Sequence, residues 1–187
     1  MMNKLELIDS LIADTEQVKS EAESFVMLTQ EELKYKPDPD GWCVLECIEH
    51  LNIADAHYIS QFEKKFSTAP HSDNPNFKPG WIGSYFVRMI KPKEDGTIPS
   101  PMKTLKKFVP EVNVQYDTLA KFIEDQDLII EMLNISKKLD LNKVKITSAI
   151  GPIVTFKLGD AFRFLIGHNQ RHIIQAQRVL QKVEVLS

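Results

Sequence analysis

Residues 67–113 limit what this chain can fold into. Seven of its ten prolines lie there: Pro70, Pro75, Pro79, Pro92, Pro99, Pro101 and Pro110. Proline removes a backbone donor and breaks helix interiors, so only Trp81 to Ile90 is continuous enough for a short helix. Irregular connections of this length are uncommon, and in helical proteins they carry the chain across to a parallel neighbour.

On either side the pattern is helical. Leu5, Ile8, Leu11, Ile12, Thr15, Val18, Ala22, Phe25 and Val26 recur at three- and four-residue spacing, which predicts a first helix over 3–28. A loop or short turn begins at Thr29, and 36–41 is a turn with two prolines and a glycine. A second helix runs from near 42 to about 66, with Cys43, Cys47, Ile53, Ala54 and Tyr58 marking its core face. The third covers about 114–137, and the fourth starts at 155 or beyond and continues to the C-terminus. Between them, 140–152 is a second connection in which 144–147 suits a short extended piece. Four long helices, one long crossover and almost no strand signal predict an all-α four-helix bundle, one domain over 1–187.

Composition narrows the function. A net charge of −3, with no run of Lys or Arg, leaves no electrostatic footprint for nucleic acid. Glycine is scarce and forms no phosphate-cradling loop. No apolar run reaches membrane-spanning length, and the N-terminus passes directly into an amphipathic pattern that carries acids. The expectation is a cytoplasmic protein with no membrane and no nucleic-acid partner. Cys43 and Cys47, four apart on one predicted helix, are poorly placed for a disulfide. They read as small buried helix residues, with soft metal ligation as the alternative.

Polar residues interrupt two of the apolar stripes. His168 and His172 share a helix face with Ala161, Phe164, Leu165 and Val179. Their offset is one helical turn, about 6 Å of rise and roughly 40° of rotation, so both rings lean from one side. One metal ion reached by both is the most economical explanation. The residues between them are Asn169, Gln170 and Arg171, so the general base of a His-Glu-x-x-His motif is missing and a third ligand must come from elsewhere. On the second helix Glu46, His50 and His57 sit at offsets of four and seven, and His50 is the natural third ligand. Three protein ligands leave a position for water or substrate. Imidazole suits zinc, nickel, iron or copper, with manganese after them.

Other polar residues read two ways. Glu46 either orients an imidazole or a water, or stabilises the start of its helix near the positive dipole end. His57 either reaches the same pocket or bonds within the core. Gln175 is placed to accept from a ligating histidine. Arg171 or Arg163 either attracts an anionic substrate or is solvated. Phe77, Trp81, Tyr85 and Phe86 either line a pocket or cover a bundle end, and Trp42 packs where its helix begins.

The stretch Trp42-Cys43-Val44-Leu45-Glu46-Cys47-Ile48-Glu49-His50-Leu51 resembles the Trp-x3-Glu-x3-His-Leu signature of the DinB-like superfamily. His168-x3-His172-x2-Gln175 resembles that family's second motif. Together they cover essentially the whole chain, helix order included. The resemblance implies an up-down-down-up bundle, commonly a homodimer, whose His50, His168 and His172 hold one divalent ion, zinc or nickel first. Relatives of that kind include S-transferases that use bacillithiol or mycothiol, a mycothiol-dependent maleylpyruvate isomerase, and proteins described only as metal-dependent hydrolases.

The leading expectation is therefore a metal-dependent transferase that takes a low-molecular-weight thiol as co-substrate and joins it to a small electrophile. A coordinated thiol loses its proton readily, and thiolate is the reactive species. The alternatives are hydrolysis, using water whose pKa the ion lowers and Glu46 as the nearby carboxylate, or a dimeric metal- or ligand-binding module without turnover.

Overall fold

The computed structural model describes residues 1–99, 104–111, 114–151 and 153–184. Pro101 and Pro152, both used above to place connections, lie outside the described residues.

Helix α1, Lys4–Phe25, is opened by Asn3, whose Oδ1 accepts from the N–H groups of Leu5 and Glu6 at 2.9 and 3.2 Å. It stops three residues short of the expected 28. A separate helix α2, Gln30–Lys34, stands where a loop or turn was expected. Its cause is a reciprocal cap: Glu32 accepts from the Thr29 N–H at 2.7 Å, and Thr29 Oγ1 accepts from the Glu32 N–H at 3.3 Å. Helix α3 is Val44–Phe66, α4 Trp81–Ile90, α5 Asp117–Ser136 and α6 Leu158–Glu184, with a 3₁₀ turn at Lys106–Phe108.

Short strands are more numerous than the sequence pattern suggests. β1, Met2–Asn3, pairs antiparallel with β2, Asn76–Phe77, and ties the start of α1 to the crossover. β3, Lys145–Thr147, is the expected extended piece, and it pairs with β4, Thr155–Lys157. Buried Ile146 stands opposite buried Phe156 in that ladder. Phe156 therefore belongs to a strand, and the last helix begins two residues later.

The four long helices form a closed ring in which α1 touches α5 and α6, and α3 touches the same two. Helix α4, from within the crossover, packs on α6. Gly83 permits that approach, because a Cβ there would lie 2.4 Å from the Asp160 side chain. Asp160 in turn accepts from the Gly80 N–H at 2.6 Å and from Arg163 at 2.9 Å.

The core is split. One apolar cluster holds Leu11, Phe62, Ile129, Phe156 and Phe162, and a second holds Val18, Val44, Ile48, Phe122 and Ile173. Phe62 and Phe162 stack at 4.3 Å across the α3–α6 contact; truncating fully buried rings of this size costs about 3–5 kcal/mol. Between the clusters each long helix contributes polar residues: Thr15 from α1, Asn52 and Asp55 from α3, Asp125 and Gln126 from α5, and Asn169 from α6, all buried. Asp55 Oδ2 accepts from Gln126 and from Asn169, each at 3.0 Å, and Asn169 also donates to Gln126 at 3.2 Å. These bonds offset part of the cost of burying amides and a carboxyl, while among the described residues Asn52 Oδ1, Asp55 Oδ1 and Asn169 Oδ1 have no hydrogen-bond partner. The histidines lie in the same belt, on the side where it opens to a cavity.

Candidate metal centre

His50 stands on the second turn of α3, while His168 and His172 stand one turn apart on α6. Because α3 and α6 are packed against each other, residues 118 positions apart meet. His50 Nε2 lies 3.1 Å from His168 Nε2, and the ligand nitrogens of all three rings lie within 4.8 Å of one another. The ring centroids are 4.5 to 5.0 Å apart.

Two rings are fixed from behind. The His50 Nδ1–H donates to the Phe108 carbonyl at 2.7 Å, and the His172 Nδ1–H donates to Gln175 Oε1 at 2.9 Å. A neutral imidazole that donates through Nδ1 presents Nε2 as a lone pair. The His50 lone pair meets His168 Nε2, and that approach needs a proton or a cation between the two nitrogens. Burial drives all three rings toward the neutral form. It lowers the pKa of His50, and with the neighbouring rings and Arg171 it holds His168 well below the usual histidine value. Burial, His50 and Arg171 bring His172 down to about 3. Neutral imidazoles with fixed tautomers are what a divalent ion such as zinc requires. The three residues fit such an ion.

The histidines form one wall of a cavity of about 380 Å³. Ile90, Leu105, Phe108 and Phe164 give it apolar sides, and Arg171, Arg178 and Asp40 give it charge. Trp42 does more than pack at a helix start: its ring lies 4.9 Å from His50 and 6.0 Å from His172. Phe164 stacks on His168, with 6.2 Å between centroids and 6° between planes. The Tyr58 hydroxyl accepts from the Ala149 N–H at 3.3 Å at the cavity edge, where burial pushes its pKa up to about 12.

The remaining candidates are distributed as follows. Glu46 uses one oxygen to accept from the Cys43 N–H at 2.9 Å and the other to pair with Lys36 at 2.7 Å. These are the bonds of a helix cap and an ion pair. His57 bonds the Thr147 carbonyl at 3.0 Å. Arg163 is paired with Asp160. Arg171 is among the residues that line the cavity. Cys43 and Cys47 are buried free thiols, as expected of packing residues. Phe77 is buried against Gly159, while Trp81 is 83% exposed; among the described residues, neither these two nor Tyr85 and Phe86 line the cavity. Arg178, seven residues after Arg171 and so on the same helix face, also lines the cavity. Its helical offset was the signal available in the sequence. The Phe108 carbonyl carried none, since a backbone atom has no residue type.

A mostly helical protein with three buried histidines converging on a cavity is thus defined by structure alone. The sequence profile of the DinB superfamily matches residues 15–176. The chain belongs to the DinB superfamily. No curated protein and no solved structure matches it.

Proposed function

We propose that His50, His168 and His172 hold one divalent ion, zinc or nickel first, and that the protein is an S-transferase that joins a small-molecule thiol to a small electrophile. The observation that carries this is the convergence of three neutral imidazoles on a cavity large enough for a small molecule. A divalent ion there supplies charge that favours the thiolate of a thiol bound to it.

The chain's own residues supply placement. The Phe108 carbonyl and Gln175 fix the rings, and the apolar walls exclude water and seat the electrophile. No protein thiol serves as nucleophile: burial raises the pKa of both Cys43 and Cys47, and neither lines the cavity. The sulfur is therefore brought by a co-substrate. A C–S bond forms as the bond from carbon to the leaving group breaks, the leaving group departs with its electron pair, and the thiol proton passes to solvent. Further parts of the proposal are an up-down-down-up four-helix bundle over 1–187, a homodimer, and a cytoplasmic location. No helix among the described residues is long and apolar enough to cross a membrane.

The test is thioether formation from a low-molecular-weight thiol and a chromogenic aryl halide, followed with zinc- or nickel-loaded protein. Wild type is expected to accelerate it and His50→Ala to abolish the acceleration. Glu46→Gln is expected to retain activity within about two-fold, since its carboxylate stabilises α3 by roughly a cap's worth. Absence of thioether above background would contradict the proposal. Ester hydrolysis that Glu46→Gln abolishes would favour a hydrolase instead, and ligand binding without any product would favour a binding module.

A further inference from the structure

The electrostatics of the cavity are lopsided. Three neutral histidines bring no negative charge to a divalent ion, unlike thiolate or carboxylate ligands. Arg171 and Arg178 add two guanidinium groups from α6, and Asp40 is the one carboxylate among the described lining residues. Arg171 lies between the two metal-binding histidines of α6 in sequence. It is close enough for its charge to push both of their pKa values down. Arg171 is a buried residue of the cavity lining, and burial lowers its own pKa. Arg178 stands at the outer edge, exposed, with Nη2 donating to the Gly96 carbonyl at 3.1 Å. The same cavity has apolar lining from Ile90, Ile98, Leu105 and Phe164.

A guanidinium matches the two oxygens of a carboxylate in a planar fork, and the match strengthens where water is scarce. The positive charge of this cavity and its apolar sides favour the same kind of molecule. We infer that the cavity takes an apolar substrate bearing a carboxylate, with Arg171 as the residue that binds the carboxylate and the rest of the molecule against the Phe164 side. This rests on the cavity being the substrate pocket, and it names the substrate class. Arg171 is a binding residue in this scheme, and Arg178 contributes attraction from the rim.

The experiment is calorimetric titration of chelator-treated, metal-free protein with 2-naphthoate and, separately, 2-naphthamide, which differ in charge but hardly in shape. Wild type is expected to bind the carboxylate at least about ten-fold more tightly than the amide, a difference of the size seen for charge-assisted pairs. Arg171→Gln is expected to bring the two within about two-fold of each other. If that variant does not fold, Arg171→Lys takes its place, and a several-fold loss of the preference is expected because the ammonium lacks the fork. Equal binding of both probes to wild type would overturn the inference, and so would a preference that survives in the variant that folds. Because no metal is present, the result is independent of whether the histidines hold an ion. A carboxylate preference in a protein that binds no metal would sink the transferase proposal and leave this one standing.

Discussion

Replacing His168 by alanine is expected to weaken zinc or nickel binding by more than about a hundred-fold, because loss of an outer hydrogen-bond partner of a ligand already costs 10–100-fold. Gln175→Leu is such a loss. It frees the His172 ring from the bond at 2.9 Å that fixes its tautomer, and should cost about 10–100-fold. Competition titrations against a chelator measure both. The pH dependence follows from the depressed histidines. An ordinary histidine site loses metal as pH falls through about 6.5, where protons compete for the ligand nitrogens. Here burial keeps His50 and His168 below that value and His172 near 3. Proton competition therefore sets in only at lower pH, and affinity should be flat from about pH 8 to pH 6.5. A graded loss from His168→Ala to Gln175→Leu fits the site as built. Equal affinity for the two variants and wild type would mean that metal binds elsewhere.

Asp55→Asn is expected to change the pH dependence of stability strongly. Asp55 is fully buried in the polar belt, and burial, opposed by the donors Gln126 and Asn169, moves its pKa from 3.8 to about 7. Below about 3.9 the group is protonated in both folded and unfolded chains. Between there and about 7 the unfolded chain has released a proton that the folded chain retains, so this residue's contribution to stability falls as pH rises. Above about 7 the loss is complete, at roughly 4 kcal/mol for a shift of this size. Asparagine has no such proton. Urea unfolding of both proteins at several pH values should show the variant gaining on wild type by roughly 4 kcal/mol between pH 4 and pH 7.5. Parallel curves would show that Asp55 is ionised in the folded protein.

The three histidines were legible because each breaks an apolar stripe at helical spacing, and a helix face turns spacing into position. His50 was legible only as a candidate from its own helix. The α3–α6 contact, which the sequence pattern cannot give, brings it to His168. Glu46 was ambiguous for a physical reason, since a carboxylate three residues after the residue that starts a helix suits a cap and a catalytic base equally. Its bond to Cys43 is that of a cap, and its bond to Lys36 is an ion pair. The pair Thr29 and Glu32 was legible as a capping box and was passed over as a loop, because five helical residues leave too short a periodicity to notice. Asp55, Gln126 and Asn169 were missed for the opposite reason. Each is one polar residue in a long apolar pattern, and only their meeting across three helices explains them. The strand β4 was hidden by its continuity with α6, where Phe156 fits either a helix face or a cross-strand pair with Ile146.

The central claim is that this chain carries one divalent ion on His50, His168 and His172. The measurement that tests it most directly is the metal content of the untagged wild-type protein by elemental mass spectrometry, as purified and after loading and desalting. About one zinc, nickel or similar ion per chain is the predicted result for a three-ligand site. A protein that is empty as purified and also refuses added metal would contradict it, and the three histidines would then be a hydrogen-bonded cluster within the polar belt.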